Sequence, residues 1–113
     1  MNDHKDLSLW QKSVEFVEVI YKLTNKFPDE EKYGLSSQIK KAVVSIPSNI
    51  AEGAARNTRK EFAQFLYVAL GSISEIETQL IIAKNLGFIE ETYENDINEL
   101  KKMTLGLIKS LNK

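Results

Sequence analysis

One short corner of the sequence constrains the fold more than any other stretch, because one helix ends there and another begins within a few residues. Thr58-Arg-Lys-Glu61 has the form of a capping box. In that motif the threonine hydroxyl accepts a hydrogen bond from the N–H of Glu61, and the glutamate carboxylate reaches back to the N–H of Thr58. Asn57 tolerates the left-handed conformation that commonly ends a helix. The pattern predicts a tight turn between two helices, the second of which begins at Arg59.

Apolar residues recur at helical spacing on both sides of this corner and favour four amphipathic helices. The predicted helices cover residues 8–27, 35–55, 59–86 and 91–111. Pro47 removes one backbone donor inside the second helix, so we expect a single helix with a kink at that residue. Gly87 is expected to take the left-handed conformation that closes the third helix. Short connections favour an all-α, up-down-up-down four-helix bundle, with one domain over residues 1–113.

The composition agrees with one soluble bundle. The chain has 113 residues, of which 42% are hydrophobic and 27% are charged, and this is enough for a single core. It contains no cysteine, which excludes disulfides and thiolate metal sites. No apolar run approaches the length that spans a bilayer, and the first six residues are polar. We therefore expect a cytoplasmic protein with no membrane partner.

Positive charge is concentrated around the corner. The whole chain has a net charge of −1, yet residues 38–64 hold five Lys and Arg against two Asp and Glu. A helix N-terminus with cations beside it favours an anion, so a phosphate contact is predicted there. The candidate nucleic-acid contacts are Lys40, Lys41, Arg56, Arg59 and Lys60. Alternatively, Thr58 and Glu61 occupy the free N–H groups of the helix. Arg56 would then pair with Glu52 or Glu61 in solvent.

Polar residues interrupt the core face of the third helix. Ser72 and Gln79 lie on that face, and Glu75 flanks them. We interpret these three residues as a hydrogen-bonded layer that fixes the register of the helices, rather than as a catalytic cluster. Gln38 or Lys41 of the second helix is the expected partner.

Two helices carry more apolar surface than one neighbour requires. The first helix has two apolar stripes, which indicate either burial between two neighbours or a subunit interface. The third helix has a second stripe beside its core face, and a subunit interface explains it better than base stacking does. The candidate interface residues are Phe16, Tyr67, Leu70 and Ile81. Gly71 is expected to mark the close approach of another backbone or an aromatic ring.

Several short motifs follow one another in an order and spacing typical of a known family. They are Leu9-Trp-Gln-Lys-Ser13, Phe27-Pro28, Tyr33-Gly-Leu35, Gln38-Ile-Lys-Lys-Ala42, Ser45-Ile-Pro-Ser-Asn-Ile-Ala-Glu-Gly53, Glu61-Phe62, Phe65-Leu66, Gly71-Ser72 and Leu86-Gly87. Together they resemble the four-helix bundle proteins encoded in intervening sequences of bacterial 23S ribosomal RNA genes. The resemblance covers residues 7–90. Lys40 and Lys41 depart from it, since family members more often carry arginine there.

The resemblance implies a homopentameric bundle without enzymatic activity. The family is similar to the accessory proteins of diversity-generating retroelements, whose pentameric barrels bind nucleic acid through basic surfaces. Association with structured RNA or another nucleic acid is therefore the leading functional hypothesis. The alternative is an oligomeric scaffold that binds protein, which predicts oligomers without salt-sensitive RNA affinity.

An enzyme is the least favoured class. His4 is the only histidine, so a histidine-based triad or a multi-histidine metal site cannot be built within one chain. Glu52, Glu75 and Glu77 could in principle meet as carboxylates inside a bundle. The Glu-x-x-His signature of di-iron bundles is absent, however. We expect no catalytic residue, no metal and no cofactor.

Overall fold

Four α-helices make up most of the chain and run alternately up and down. The computed structural model describes residues 3–113 and contains no strand in that range. The helices are α1 (Ser8–Thr24), α2 (Leu35–Ala54), α3 (Arg59–Asn85) and α4 (Glu94–Leu111). Single 3-10 turns precede α1 and α2, at His4–Asp6 and Asp29–Glu31. The bundle extends over 44 × 21 × 19 Å, and the predicted all-α, up-down-up-down architecture is confirmed.

The helix boundaries agree with the prediction at the corner and differ at two other places. α1 ends at Thr24, because the next three residues form a turn whose N–H groups bond to carbonyls three residues back. Phe27 therefore lies outside the helix, although its buried ring packs on Phe88 with a centroid separation of 5.6 Å. α4 begins only at Glu94, after Tyr93 takes a left-handed backbone conformation with φ of 56°.

The end of α3 follows the prediction made for Gly87. Its φ is 81°, in the left-handed region that favours glycine. The N–H of Phe88 donates to the carbonyl of Ala83, and the N–H of Gly87 donates to that of Lys84, both at 2.9 Å. These two bonds form a Schellman motif, which satisfies carbonyls that a helix end would otherwise leave free. The chain can therefore reverse direction toward α4.

The core lies between facing apolar stripes of the four helices. The most extensive packing joins α2 and α3, while α1 packs on α2 and α4 packs on α3. The largest fully buried apolar side chains are Ile20, Ile39, Ile46, Ile50, Leu66, Ile73, Ile76, Leu80 and Ile97. Each such side chain stabilises the fold by about 1.5–3 kcal/mol through its removal from water. Burial along α2 and α3 thus dominates the stability of the bundle.

Near the last residues of α2, where the chain turns toward α3, the α2 backbone lies directly against α3. A Cβ added to Gly53 would lie 2.7 Å from Cβ of Phe65 and 2.9 Å from Cδ1 of Phe62, closer than real Cβ atoms approach. Glycine is therefore required for this contact. The close approach expected at Gly71 is absent: Gly71 is exposed, and nothing lies within 4 Å of its Cβ position.

Helix α2 is continuous through Pro47, which is buried. The sequence prediction of one helix across the proline is confirmed, and the kink stays a prediction. Asn49 supports this turn, because its side-chain amide donates to the Ser45 carbonyl at 2.8 Å and to the Ser45 hydroxyl at 3.1 Å. These bonds join Asn49 to the preceding turn, whereas the carbonyl that Pro47 leaves without a helical donor is that of Val43.

A polar layer crosses the contact between α2 and α3, as the sequence predicted, but its partner is different. The hydroxyl oxygens of Ser45 and Ser72 lie 2.6 Å apart, so Ser72 bonds to Ser45 rather than to Gln38 or Lys41. Gln79 is 6% exposed and donates to Glu75 at 3.2 Å. The Ser45–Ser72 bond joins the two helices and fixes their register. The Gln79–Glu75 bond lies within α3, and the buried Oε1 of Gln79 has no hydrogen-bond partner in the described part of the chain.

Two ion pairs attach α4 to its neighbours. Lys101 Nζ lies 2.6 Å from Glu77 on α3, and Lys12 Nζ on α1 lies 2.8 Å from Glu99. The hydrogen bond to Glu99 raises the pKa of the Lys12 ammonium. Exposed pairs of this kind contribute at most about 1 kcal/mol each. Their main role is to set the position of α4 along α3 and α1.

Helix α3 is long and apolar enough to cross a bilayer by length and composition. Its most apolar 18-residue window has a mean hydropathy of 1.3, and 39% of that window is buried in the bundle. The expectation that no apolar run reaches this length is therefore wrong for α3. A single helix of this kind is weak evidence for a membrane span, because core helices of soluble bundles have the same composition. The hydropathy reflects a helix with little charge on either its inner or its outer side.

We predict that Gly53→Ala destabilises the bundle, because the new methyl group would overlap the side chains of Phe65 and Phe62. The expected loss in the free energy of unfolding is about 1–3 kcal/mol, measured by urea denaturation. Gly106→Ala is the matched control, since Gly106 lies on the exposed side of α4 with open space around it. That change should raise stability by about 0.5–1 kcal/mol. Equal effects of the two changes would contradict the close helix contact.

Candidate nucleic-acid interface

The corner comprises residues 55–60, which are the connection between α2 and α3 and the first two residues of α3. Every residue in it is exposed. Its capping box is present in part. The N–H of Glu61 donates to Thr58 Oγ1 at 3.1 Å, as predicted, and α3 begins at Arg59. The Glu61 carboxylate does not reach the Thr58 N–H and instead accepts a bond from the Thr58 hydroxyl at 3.0 Å. Thr58 thus closes the first turn of α3 while leaving the surrounding cations exposed.

The corner projects beyond the end of α4. The Lys101–Glu77 ion pair shows that these two residues of α4 and α3 lie at the same height along the long axis of the bundle. From this level α3 continues to Arg59, about 27 Å at 1.5 Å per residue, whereas α4 continues only about 15 Å to Leu111. The tip of the α2–α3 hairpin therefore extends about 12 Å further than α4. A large partner can reach the corner from several directions.

The three cations of the corner have different environments. Arg56 Nη2 lies 3.0 Å from Glu52 Oε1, and its guanidinium lies over the ring of Phe65 at 4.8 Å from the centroid. The alternative in which Arg56 pairs with Glu52 is therefore the arrangement in the structure. Within residues 3–113, Arg59 and Lys60 form no ion pair, and both are exposed. These two side chains are the free positive charges of the corner.

The structure does not bring Lys40 and Lys41 to the corner. They lie on α2 about 20 Å from the end of that helix at the corner, at a rise of 1.5 Å per residue. Lys40 Nζ lies 5.2 Å from the ring centroid of Tyr21 on α1. Lys41 lies on another side of the helix, where it lines a cleft with Glu75 of α3. The five predicted contacts thus fall into three separate places, and only the corner holds more than one of them.

The sequence interpretation missed the role of Phe65. Helical spacing assigns it to the core face of α3, but its side chain is only half-buried and supports the guanidinium of Arg56. Gly53, the one glycine near the end of α2, was the sequence signal that could have indicated this role of Phe65. A glycine at that position allows an aromatic side chain of the next helix to come within contact distance of α2.

The predicted interface residues lie in different environments. Phe16 is 4% exposed and belongs to the core of the single chain, so it offers little surface to a second copy. Tyr67 and Ile81 are 55% and 48% exposed, and Leu70 is half-buried. Exposed residues that are almost all uncharged continue along the same side of α3, hereafter called its outer face. The uncharged ones are Tyr67, Val68, Gly71, Ser74, Thr78, Ile81 and Ile82, and the exposed Glu75 is the one charged residue among them.

Comparisons with known proteins identify relatives of this chain. A family model described as 23S rRNA-intervening sequence protein matches residues 5–113. A crystal structure of similar fold is that of a protein with unknown function from the S23 ribosomal protein family of Bacteroides thetaiotaomicron VPI-5482. The two chains share 30% sequence identity with a TM-score of 0.78, over 89% of this chain and 98% of the other. No curated protein matches the sequence. The resemblance proposed from the motifs is confirmed.

We predict that Thr58→Ala lowers the free energy of unfolding by about 1 kcal/mol, because the Glu61 N–H loses its side-chain acceptor at the start of α3. Chemical denaturation at neutral pH measures the difference. Thr78→Ala is the control, because that exposed hydroxyl bonds only to the Ser74 carbonyl within α3. Alanine should be neutral or slightly stabilising there. A neutral Thr58 variant would show that the capping bond contributes nothing to the corner.

Proposed function

Because the chain belongs to the 23S rRNA-intervening sequence protein family, we propose that it is a non-enzymatic, cytoplasmic bundle protein that associates with structured RNA through the corner. The observation that carries this proposal is the projection of Arg59 and Lys60 from the tip of the α2–α3 hairpin without intramolecular ion pairs. Cations that are already exposed and unpaired can contact phosphate without first breaking an internal bond.

The arrangement of charge also supports contact at this end of the bundle. The two connections at the opposite end of the bundle carry exposed carboxylates, at Asp29 and Glu30 in one and at Glu90 and Glu91 in the other. Exposed lysines, including Lys22, Lys26 and Lys84, also lie toward that end, so its charge is mixed, whereas the corner carries three cations and no carboxylate. A polyanion would therefore be attracted more strongly to the corner, and a net charge of −1 for the whole chain is compatible with RNA association there.

We further propose that the protein assembles as a homo-oligomer, with the pentamer that the family resemblance implies as the expected state. The outer face of α3 supports this proposal, since seven of the eight exposed residues between positions 67 and 82 carry no charge, Glu75 being the exception. A side of a helix with so little charge is typical of a surface that packs against another subunit. Repetition of the corner around an oligomer would convert a weak phosphate contact into a multivalent one.

An oligomeric scaffold without RNA affinity is the second candidate function. The same outer face of α3 favours it, because this surface fits protein contact and has no cation that would bind phosphate. The two candidates differ in one measurable property. RNA association through phosphates weakens steeply as salt rises, whereas an apolar protein contact does not.

We predict that the affinity for a structured RNA falls steeply with salt and that Arg56→Ala/Arg59→Ala/Lys60→Ala flattens this dependence. Each lost phosphate contact removes about 0.7–0.9 from the slope of log K against log salt, so the triple change should reduce the slope by about 2. Titration across a salt series measures it, with the oligomeric mass of each protein checked first.

The matched control for this experiment is Lys22→Ala/Lys26→Ala/Lys84→Ala. It removes the same charge from exposed lysines toward the opposite end of the bundle, so the slope should stay near that of the wild type. If the two triple variants behave alike, the contact is general electrostatic attraction rather than the corner. If the intact oligomer binds no RNA at low salt, the scaffold becomes the better proposal.

We predict that Tyr67→Glu lowers the assembly state, because it introduces a second carboxylate into an outer face of α3 on which only Glu75 is charged. Light scattering coupled to size-exclusion chromatography gives the mass in solution. Tyr33→Glu is the control with the same chemistry, since Tyr33 is 89% exposed in the connection between α1 and α2. Its mass should match that of the wild type. A Tyr67 variant of unchanged mass would exclude this face as the interface.

A further inference from the structure

Arg56 is held more firmly than an exposed arginine usually is. Its guanidinium lies over the ring of Phe65, with the central carbon 4.8 Å from the ring centroid. One edge is bonded to Glu52 at 3.0 Å, and 42% of the side chain remains exposed. A cation over an aromatic face is attracted by the negative charge density of the ring. The guanidinium is therefore supported by the ring and by one edge contact, with much of its surface open to solvent.

The ring beneath Arg56 is itself fixed by the helix contact. The β-carbon of Phe65 lies against the Gly53 backbone, which fixes where this side chain leaves α3. Arg56 follows three residues after Gly53, and its N–H donates to the Gly53 carbonyl at 3.1 Å. The backbone of Arg56 and the β-carbon of Phe65 are thus positioned by the same residue.

We propose that Arg56 and Phe65 form a stacking platform for one unpaired nucleobase of RNA. This inference rests on the proposed RNA association and names its substrate class: a loop, bulge or single-stranded end rather than a continuous duplex. Guanidinium planes and aromatic rings are surfaces on which unpaired bases stack. A base inside a duplex has both faces covered by its neighbours and cannot use such a platform. Arg59 and Lys60 would contact the phosphates that flank the stacked base.

Glu52 is a positioning residue in this platform. It bonds one edge of the guanidinium and so favours the position in which this group lies over the ring. The pair is exposed on both sides, with side-chain exposures of 42% and 56%. Water and salt screen such a pair, so a phosphate can compete for the same edge without a large penalty. The platform therefore keeps its shape before RNA arrives and can still accept a phosphate beside the base.

The test compares Arg56→Lys with Arg59→Lys on two RNAs of equal phosphate number. One is a hairpin whose loop contains a fluorescent adenine analogue, and the other is a blunt duplex that carries the same analogue. Lysine keeps the charge but has no planar surface for stacking. Arg56→Lys should weaken loop binding about tenfold and duplex binding less than about twofold. Arg59→Lys should change both affinities by less than about twofold.

Fluorescence gives a direct measure of stacking. The analogue in the loop should be quenched when the wild-type protein binds, and Arg56→Lys should abolish this quenching. Phe65→Leu is a second variant, which keeps an apolar side chain while removing the ring beneath the guanidinium, and it should reduce quenching as well. Thermal unfolding of each variant checks that the bundle is intact.

The outcomes separate the platform from the proposed function. If both lysine variants act alike on both RNAs and the fluorescence does not change, the platform is overturned while a salt-dependent phosphate contact at the corner remains. If neither RNA shows salt-dependent binding to the wild-type oligomer, both the platform and the proposed function are overturned. Selective loss of loop binding and of quenching in Arg56→Lys supports the platform.

Discussion

The close contact between α2 and α3 at Gly53 is the constraint on which the rest of the structure depends. Gly53 has no side chain, so the α2 backbone lies against Phe65 and Phe62. Apolar burial continues along the two helices, and the Ser45–Ser72 pair fixes their register where a purely apolar contact would allow sliding. The same contact orients Phe65 toward Arg56, which links the packing of the core to the chemistry of the corner.

Helix α3 combines three roles along one stretch of chain. Its inner side forms the core, its outer face carries a single charge at Glu75, and its first turn carries free cations at the tip of the hairpin. One helix can form all three surfaces because it is long. α3 has 27 residues, compared with 18 in α4, so its first turn extends beyond the end of α4. The high hydropathy of α3 has the same origin, because neither long side of the helix carries many charges.

Much of the fold could be predicted from the sequence because local signals were strong. The Thr58 cap and the Gly87 helix end both depend on residues within one turn of each other, and both were predicted correctly in position. The predictions for α1 and α4 failed by a few residues where tertiary packing competed with the pattern. Phe27 is apolar and directly precedes Pro28, so it was predicted as the last residue of the first helix. In the structure its buried ring reaches the core from a turn instead. Gly71 was expected at a close contact, but it lies on the open side of α3.

The sequence by itself determined four amphipathic helices, their order and the basic character of the corner, since these follow from residues that are near one another in the chain. Only the tertiary structure decided which cations are free. Arg56 is engaged by Glu52 and Phe65, Lys40 lies over Tyr21, and Arg59 and Lys60 remain unpaired in the described chain. The Arg56–Glu52 pair is local in sequence and was one of the predicted alternatives. The contacts of Arg56 with Phe65 and of Lys40 with Tyr21 depend instead on distances between side chains of different elements. Helical periodicity specifies the face of each residue but not its neighbour across the bundle.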